Sequence, residues 1–257
     1  MITAVRKNAR IIGSLMMREI MTRFGREGLG FVWLVGEPLL FCGGVIAMWS
    51  LLKSPYDHGI RVAPFVMTGY MCLLLIRHII SYNMGAIQAN IGLLYHRHVT
   101  VLHIIIARDL LELAGGSLAF IVVYAALFAF DQIALPADFL LIFYGWSTLF
   151  FLTSGLGLLF SALAIEFEVM ERIIPVMMYL MIPISGVFMM VGWLPEPYRS
   201  TLLLIPIPHS VEMVRAGVFG EFVETHFTPL YPLAWGMVLN VAGLLLLARA
   251  KKHVDID

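Results

Sequence analysis

The chemistry open to this chain rests on a few ionisable side chains set among apolar ones. Glu37, Arg77 and His78 each lie inside long hydrophobic runs. A charged side chain at a bilayer centre costs roughly 2.5–3.5 kcal/mol on insertion scales. Such a residue normally faces a bundle interior or water, which makes it a site candidate. Catalytic apparatus is missing from the pattern. No GxxxxGK[ST] loop is present to cradle nucleotide phosphates. Neither HExxH nor GxSxG occurs. His96, His98 and His103 are close in sequence, but no Cys or Asp joins them. Solvated loop histidines account for them better than a metal site. No group is placed to activate a nucleophile or a water. The chain reads as a path and not as an enzyme, with no catalytic residue, metal or cofactor of its own.

The elements that would hold these residues are membrane helices. Of 257 residues, 60% are hydrophobic and 13% charged, with mean hydropathy +0.90. Soluble domains are about 45–50% apolar and about 25% charged. The excess comes in blocks of about twenty, the length that crosses roughly 30 Å of hydrocarbon. The expected fold is an all-α integral membrane protein with six spans, at about 31–52, 62–82, 107–130, 139–164, 173–191 and 230–248. Pro175 and Pro183 should bend the fifth. Arg108, Asp109 and Glu112 form the lead-in to the third. Cys42 and Cys72 lie in spans and read as small apolar fillers. Net charge is zero, so total charge points to no nucleic acid or other acidic partner.

Two segments are not spans. Residues 1–30 hold Ile11, Ile12, Leu15, Met16 and Ile20 on one helical face, with Lys7, Arg10 and Arg18 opposite. This is the pattern of an amphipathic helix lying in the membrane interface, although Glu19 interrupts the apolar face. The basic start and the lack of a small-residue cleavage site argue against a removed signal peptide. Residues 194–228 carry Pro195, Pro197, Pro206 and Pro208 around an apolar run too short to cross, which suits a re-entrant helical hairpin. Orientation follows from Lys and Arg. The N-terminal segment, the C-terminal tail and the connections holding Arg97, Arg108 and Arg172 carry twelve. Lys53, Arg61, Arg199 and Arg215 lie on the other side. Both termini are therefore expected in the cytoplasm, and the hairpin on the opposite face.

Three stretches resemble a known family. Thr22-Arg23-Phe24-Gly25, Leu29-Gly30, Trp33 and Glu37-Pro38 resemble the approach to the first span in ABC-2-type transporter permeases. Arg77, Ala86-Ile87, Ala89-Asn90, Leu93-Leu94, Val99, Ala107-Arg108 and Leu110-Leu111-Glu112 are similar to the permease of Gram-negative capsular-polysaccharide export. Leu194-Pro195 through Pro206, His209, Glu212 and Arg215 resembles that family's segment before the last span, with Ile205-Pro206 where the family often has Asn-Pro. The resemblance implies a homodimeric permease in the bacterial inner membrane, with two cytoplasmic P-loop ATPase subunits that hold ATP and Mg. It implies export of a lipid-linked anionic polysaccharide to the periplasm, with a periplasmic adaptor (co-polymerase) and an outer-membrane export channel. O-antigen, teichoic acid or a small amphiphile is the alternative cargo. A non-transport scaffold or enzyme is the more distant one.

That resemblance gives the residues expected roles. Arg77 fits a substrate path, a pair with Glu37, or a side chain snorkelling to the cytoplasmic end. Trp33, Tyr70, Glu37 and His78 join it as path candidates, while Trp49 and Tyr82 read as headgroup anchors. Leu93, Leu94, Tyr95 and His96 are expected in the loop that couples to the ATPase. Pro195, Arg199, Pro206, His209, Glu212 and Arg215 are expected in the re-entrant gate, with Arg199, Glu212 and Arg215 pairing among themselves. Gly43-Gly44, Gly115-Gly116 and Gly155-x-Gly157 read as helix-packing sites.

Overall fold

The computed structural model describes residues 2–24, 30–52, 56–94 and 99–254. Among them the fold is helical apart from one small hairpin. α1 (Ile2–Phe24) and α2 (Gly30–Leu52) precede the antiparallel pair β1 (Tyr56–Asp57) and β2 (Ile60–Arg61). α3 (Val62–Met84), the single-turn α4 (Ile91–Leu94), α5 (Val101–Ala129) and α6 (Phe139–Glu166) follow. α7 (Met170–Ile184), α8 (Tyr198–Leu202), α9 (Pro206–Phe219) and α10 (Leu230–Val254) come last.

Five helices are long and apolar enough to cross a membrane: Val32–Leu52, Val62–Met84, Val101–Ala129, Phe139–Glu166 and Leu230–Ala250. Four match expected spans closely. The other begins at Val101 instead of residue 107, because Thr100 caps it. The Thr100 hydroxyl accepts from the His103 N–H, and His103 Nδ1 accepts from the Thr100 N–H. This reciprocal box satisfies donors that a helix start leaves open. Arg108, Asp109 and Glu112, at the start of the expected span, thereby sit further along the helix and are buried.

The expected fifth span, 173–191, is not one helix. α7 ends at Ile184 after 15 residues. At 1.5 Å per residue it is about 22 Å long, less than the hydrocarbon thickness. Gly186 then turns the chain with φ +72°, a region that favours glycine. Side-chain donors from α9 take over the carbonyls beyond that turn, as described below.

α3 lies at the centre. It packs against α2, α5, α6, α7 and α9, and most of its side chains are buried. A helix that is apolar nearly all round belongs in such a position. Met67, Met71, Leu75 and Ile79 of α3 meet Phe120 of α5, Leu149 and Leu152 of α6, and Val211 and Val214 of α9 in one core. Small residues let the backbones close up, as in membrane helix pairs generally. A methyl group on Gly155, Gly236 or Gly243 would meet the partner helix within 3 Å, so α6 and α10 are in tight register. Asn240 adds donations to the carbonyls of Phe151 and Gly236 at 2.8 Å each. Gly115 packs on Leu34, but Gly43 and Gly44 meet nothing within 4 Å, so among the described residues that pair is no packing site.

The tightest point is Gly69 of α3, where a Cβ would lie 2.2 Å from the Val187 carbonyl oxygen. Gly69→Ala is expected to destabilise the fold by about 1–3 kcal/mol, the usual range for overpacking. Gly43→Ala should be neutral. Thermal unfolding of the two variants in detergent checks this, and equal stability would contradict the packing described.

Candidate functional site

α3 has one face that is less buried, and it carries Tyr70, Leu74, Arg77, His78, Ser81 and Tyr82 at helical spacing. With Glu37 and Phe41 of α2 these residues line a cleft of about 290 Å³. A second cavity of about 480 Å³ shares Glu37 and Phe41 and is walled by Trp33 and Leu40. Trp33 and Glu37 of α2 and Tyr70, Arg77 and His78 of α3 thus line two cavities that share Glu37 and Phe41. The Arg77 guanidinium lies 5.5 Å from the centre of the Tyr179 ring of α7, a cation–π distance. Among the described residues no ion pair joins Arg77 to Glu37. Of the three placements open to Arg77, the paired one is not adopted.

Beside the cleft, at the α1 end of the bundle, charges are tightly paired. Arg23 of α1 reaches Glu19 Oε1 at 2.8 Å and Glu112 Oε1 of α5 at 2.5 Å. Arg108 meets Glu19 Oε1 at 2.9 Å and also donates to the Tyr82 carbonyl. His78 Nδ1 lies 3.2 Å from Glu112 Oε2. The Arg23 guanidinium stacks 3.7 Å from the Tyr82 ring centre. Arg18 reaches Asn90 Oδ1 at 2.5 Å. Glu19, which breaks the apolar face of α1 in sequence, is therefore the residue that turns toward the bundle. Deeper in, Asp109 accepts from Asn83 Nδ2 at 2.6 Å and from the Ser154 hydroxyl, joining α3, α5 and α6. Asn83 fills the space that Gly157 leaves.

At the opposite end α9 is nearly completely buried. Pro206 opens it, where a missing N–H costs nothing, and Gly220 closes it with φ +65°. Its polar side chains serve the backbone around it. Arg215 is wholly buried and donates to the carbonyls of Gly186 at 2.7 Å, Val187 at 2.5 Å and Met189 at 2.8 Å. It faces Glu212 at 3.4 Å and the Phe65 ring at 4.6 Å. Glu212 accepts from the N–H groups of Val191 and His226 at 3.4 Å each. His209 Nδ1 accepts from the Thr228 N–H at 2.9 Å, which leaves Nε2 to donate to the Leu203 carbonyl at 2.8 Å. The imidazole is thus the neutral Nε2–H tautomer. Arg199 does not join the Glu212–Arg215 pair. It donates instead to the carbonyls of Leu194 and Gly192. Pro195 accepts the first turn of α8 through its carbonyl.

Comparison with known proteins settles the family. Over 246 residues the chain is 39% identical to the capsule polysaccharide export inner-membrane protein CtrC of Neisseria meningitidis, covering 96% of this chain and 93% of that protein. The chain belongs to the capsule polysaccharide export inner-membrane protein family. It is 37% identical, with the same coverage, to the capsule polysaccharide export inner-membrane protein BexB of Haemophilus influenzae. To the polysialic acid transport protein KpsM of Escherichia coli it is 29% identical over 91% of each chain. No family model matches the chain.

In this member of the export family, Glu37, Tyr70, Arg77 and His78 are the sequence candidates that line the cleft, while Phe41, Leu74, Ser81 and the ionic cluster carry no such mark in the sequence reading. Arg108 and Glu112 stand four apart, and Asp109 and Glu112 three apart, on an apolar helix. That spacing puts them on one face and was the available signal. Tyr82 is a cleft residue under Arg23, and Trp49 stacks on Phe188 with ring centres 5.7 Å apart. Leu93 and Leu94 are half-buried against the cluster around Leu15 and Ile104, so the chain itself covers them in part. Tyr95 and His96 lie outside the described residues.

Removing one partner of a buried ion pair costs about 3–5 kcal/mol. Arg215→Ala is expected to lose that much and to leave three carbonyls without their donor. Arg215→Met combined with Glu212→Gln should recover part of the loss. Melting temperatures in detergent decide; an Arg215→Ala protein as stable as the parent would contradict the role assigned.

Proposed function

We propose that the chain is the permease subunit of an ATP-driven exporter that moves lipid-linked capsular polysaccharide from cytoplasm to periplasm. Similarity over nearly full length to capsule polysaccharide export inner-membrane proteins supports the class. The observation behind the mechanism is the cleft, where cationic Arg77 stands among Tyr70, Tyr82 and the adjoining Trp33. An anionic glycan meets a guanidinium for its charge and aromatic faces for its sugar rings. Glu37 in the same recess keeps net positive charge low. A passing polymer needs binding strong enough to enter and weak enough to leave.

In this reading both termini are cytoplasmic and α1 lies in the inner interface. α7 together with the segment after Gly186 makes a sixth crossing, and α8 and α9 form a periplasmic re-entrant hairpin. The burial of α9 and the donors it supplies suit irregular backbone at membrane depth, which persists only under cover of protein or water. Two copies associate, and exposed apolar faces on α2 (Leu40, Phe41) and α7 (Val176, Leu180) supply surface for this. Two P-loop ATPase subunits dock at the connection from Ile91 to His103, where Tyr95 and His96 follow Leu93 and Leu94. They hold the ATP and Mg, since the chain has no phosphate-binding loop in its sequence. A periplasmic adaptor and an outer-membrane channel take the polymer onward.

A hydrogen bond to a charged group is worth about 1.5–3 kcal/mol, so loss of one such contact lowers flux roughly tenfold or more. Arg77→Ala in a capsule-producing host is expected to lose surface capsule to that extent. Permease level and co-purification of the ATPase should be unchanged, and Arg77→Lys should keep part of the flux. Normal surface capsule from Arg77→Ala at normal protein level would refute the path.

A further inference from the structure

One member of the ionic cluster faces two ways. Glu112 is 5% exposed in α5. Its Oε1 accepts from Arg23 of α1 at 2.5 Å, and its Oε2 lies 3.2 Å from Nδ1 of His78, a cleft residue of α3. Arg23 in turn covers the ring of Tyr82, another cleft residue, and His78 packs edge-on to that ring at 5.6 Å. α1 therefore touches the cleft wall directly through Arg23 and indirectly through Glu19, which holds Arg108 against the Tyr82 carbonyl, and the Glu112 carboxylate holds Arg23 and His78 together.

We propose that Glu112 is a positioning residue that sets the His78–Tyr82 side of the cleft according to the seat of α1. If α1 moves away, the contacts between Arg23 and Glu112 and between Arg108 and Glu19 break together. Glu112 Oε1 is then left buried without a donor, a state that costs free energy comparable to its desolvation. Rotation of the carboxylate relieves it and carries His78 along, while Tyr82 loses its covering guanidinium. The shape of the cleft thus follows α1. This rests on the export reading only for what passes through the cleft; the geometric coupling holds for any occupant.

The test reads cleft geometry without a glycan. Ser81 is exposed in the cleft and is replaced by Cys in the full-length protein in membranes, whereas Cys42 and Cys72 are buried and give the background. The probe is N-ethylmaleimide, which is neutral, so a change in nearby charge alone does not alter its local concentration. Glu112→Gln and Arg23→Ala are each expected to change the labelling rate several-fold in the same direction. The double variant should change it no further, and Glu112→Asp should return it toward the parent rate. Arg18→Ala also removes a tie from α1, to Asn90, but does not touch the carboxylate and should leave the rate unchanged. Unchanged rates in the first two variants, additive effects in the double variant, or an Arg18→Ala effect equal to that of Arg23→Ala would each overturn the proposal. If Glu112→Gln fails to fold, the comparison of Arg23→Ala with Arg18→Ala still decides. Labelling that follows Arg23 while Arg77→Ala exports normally would separate this coupling from the export path.

Discussion

One buried guanidinium holds the α9 end of the protein in place. Where α7 stops and Gly186 turns the chain, the carbonyls of Gly186, Val187 and Met189 lose helical partners, and Arg215 supplies all three. A buried charge is tolerable only when it is paired and its donors are used. Glu212 provides the pairing and spends its own oxygens on Val191 and His226. Phe65 and Gly69 of α3 fit against the same guanidinium. The half of the central helix nearest α9 is therefore fixed, and the cleft residues from Tyr70 to Tyr82 extend from that fixed half.

Four arginines among the described residues differ in what surrounds them. Arg23, Arg108 and Arg215 are partnered by carboxylates or carbonyls and act within the fold. Arg77 is different: among the described residues it has the Tyr179 ring but no carboxylate, and it faces an open cleft. The contrast separates a cation that lines the cleft from cations that tie the helices to one another. The paired cluster lies directly behind the cleft wall, where Glu112 meets both Arg23 and His78.

Much of this was legible in the sequence, and the exceptions have physical causes. Twenty-residue apolar blocks mark α2, α3, α6 and α10 because bilayer thickness sets a length that composition records. Glu37, Arg77 and His78 could be picked out because ionisable groups inside apolar runs are rare and costly. Hydropathy could not see where α7 ends, since Val187 to Val191 is as apolar as a span. The break depends on a positive φ at Gly186 and on donors from Arg215, 29 residues further on. Arg108, Asp109 and Glu112 look like a polar lead-in until Thr100 and His103 start the helix early. Arg199 misled for a similar reason: its partners are backbone carbonyls, which have no signature in residue type.

The central claim is that the recess on α3 carries an anionic glycan. Its most direct test is photocrosslinking from Tyr70, replaced by p-benzoylphenylalanine, in cells that assemble capsule. The account predicts irradiation-dependent attachment of capsular polysaccharide to the protein, and none when the photoreactive group is moved to exposed Phe143 on α6. Attachment of lipid or protein alone at Tyr70, with the exporter active, would contradict it.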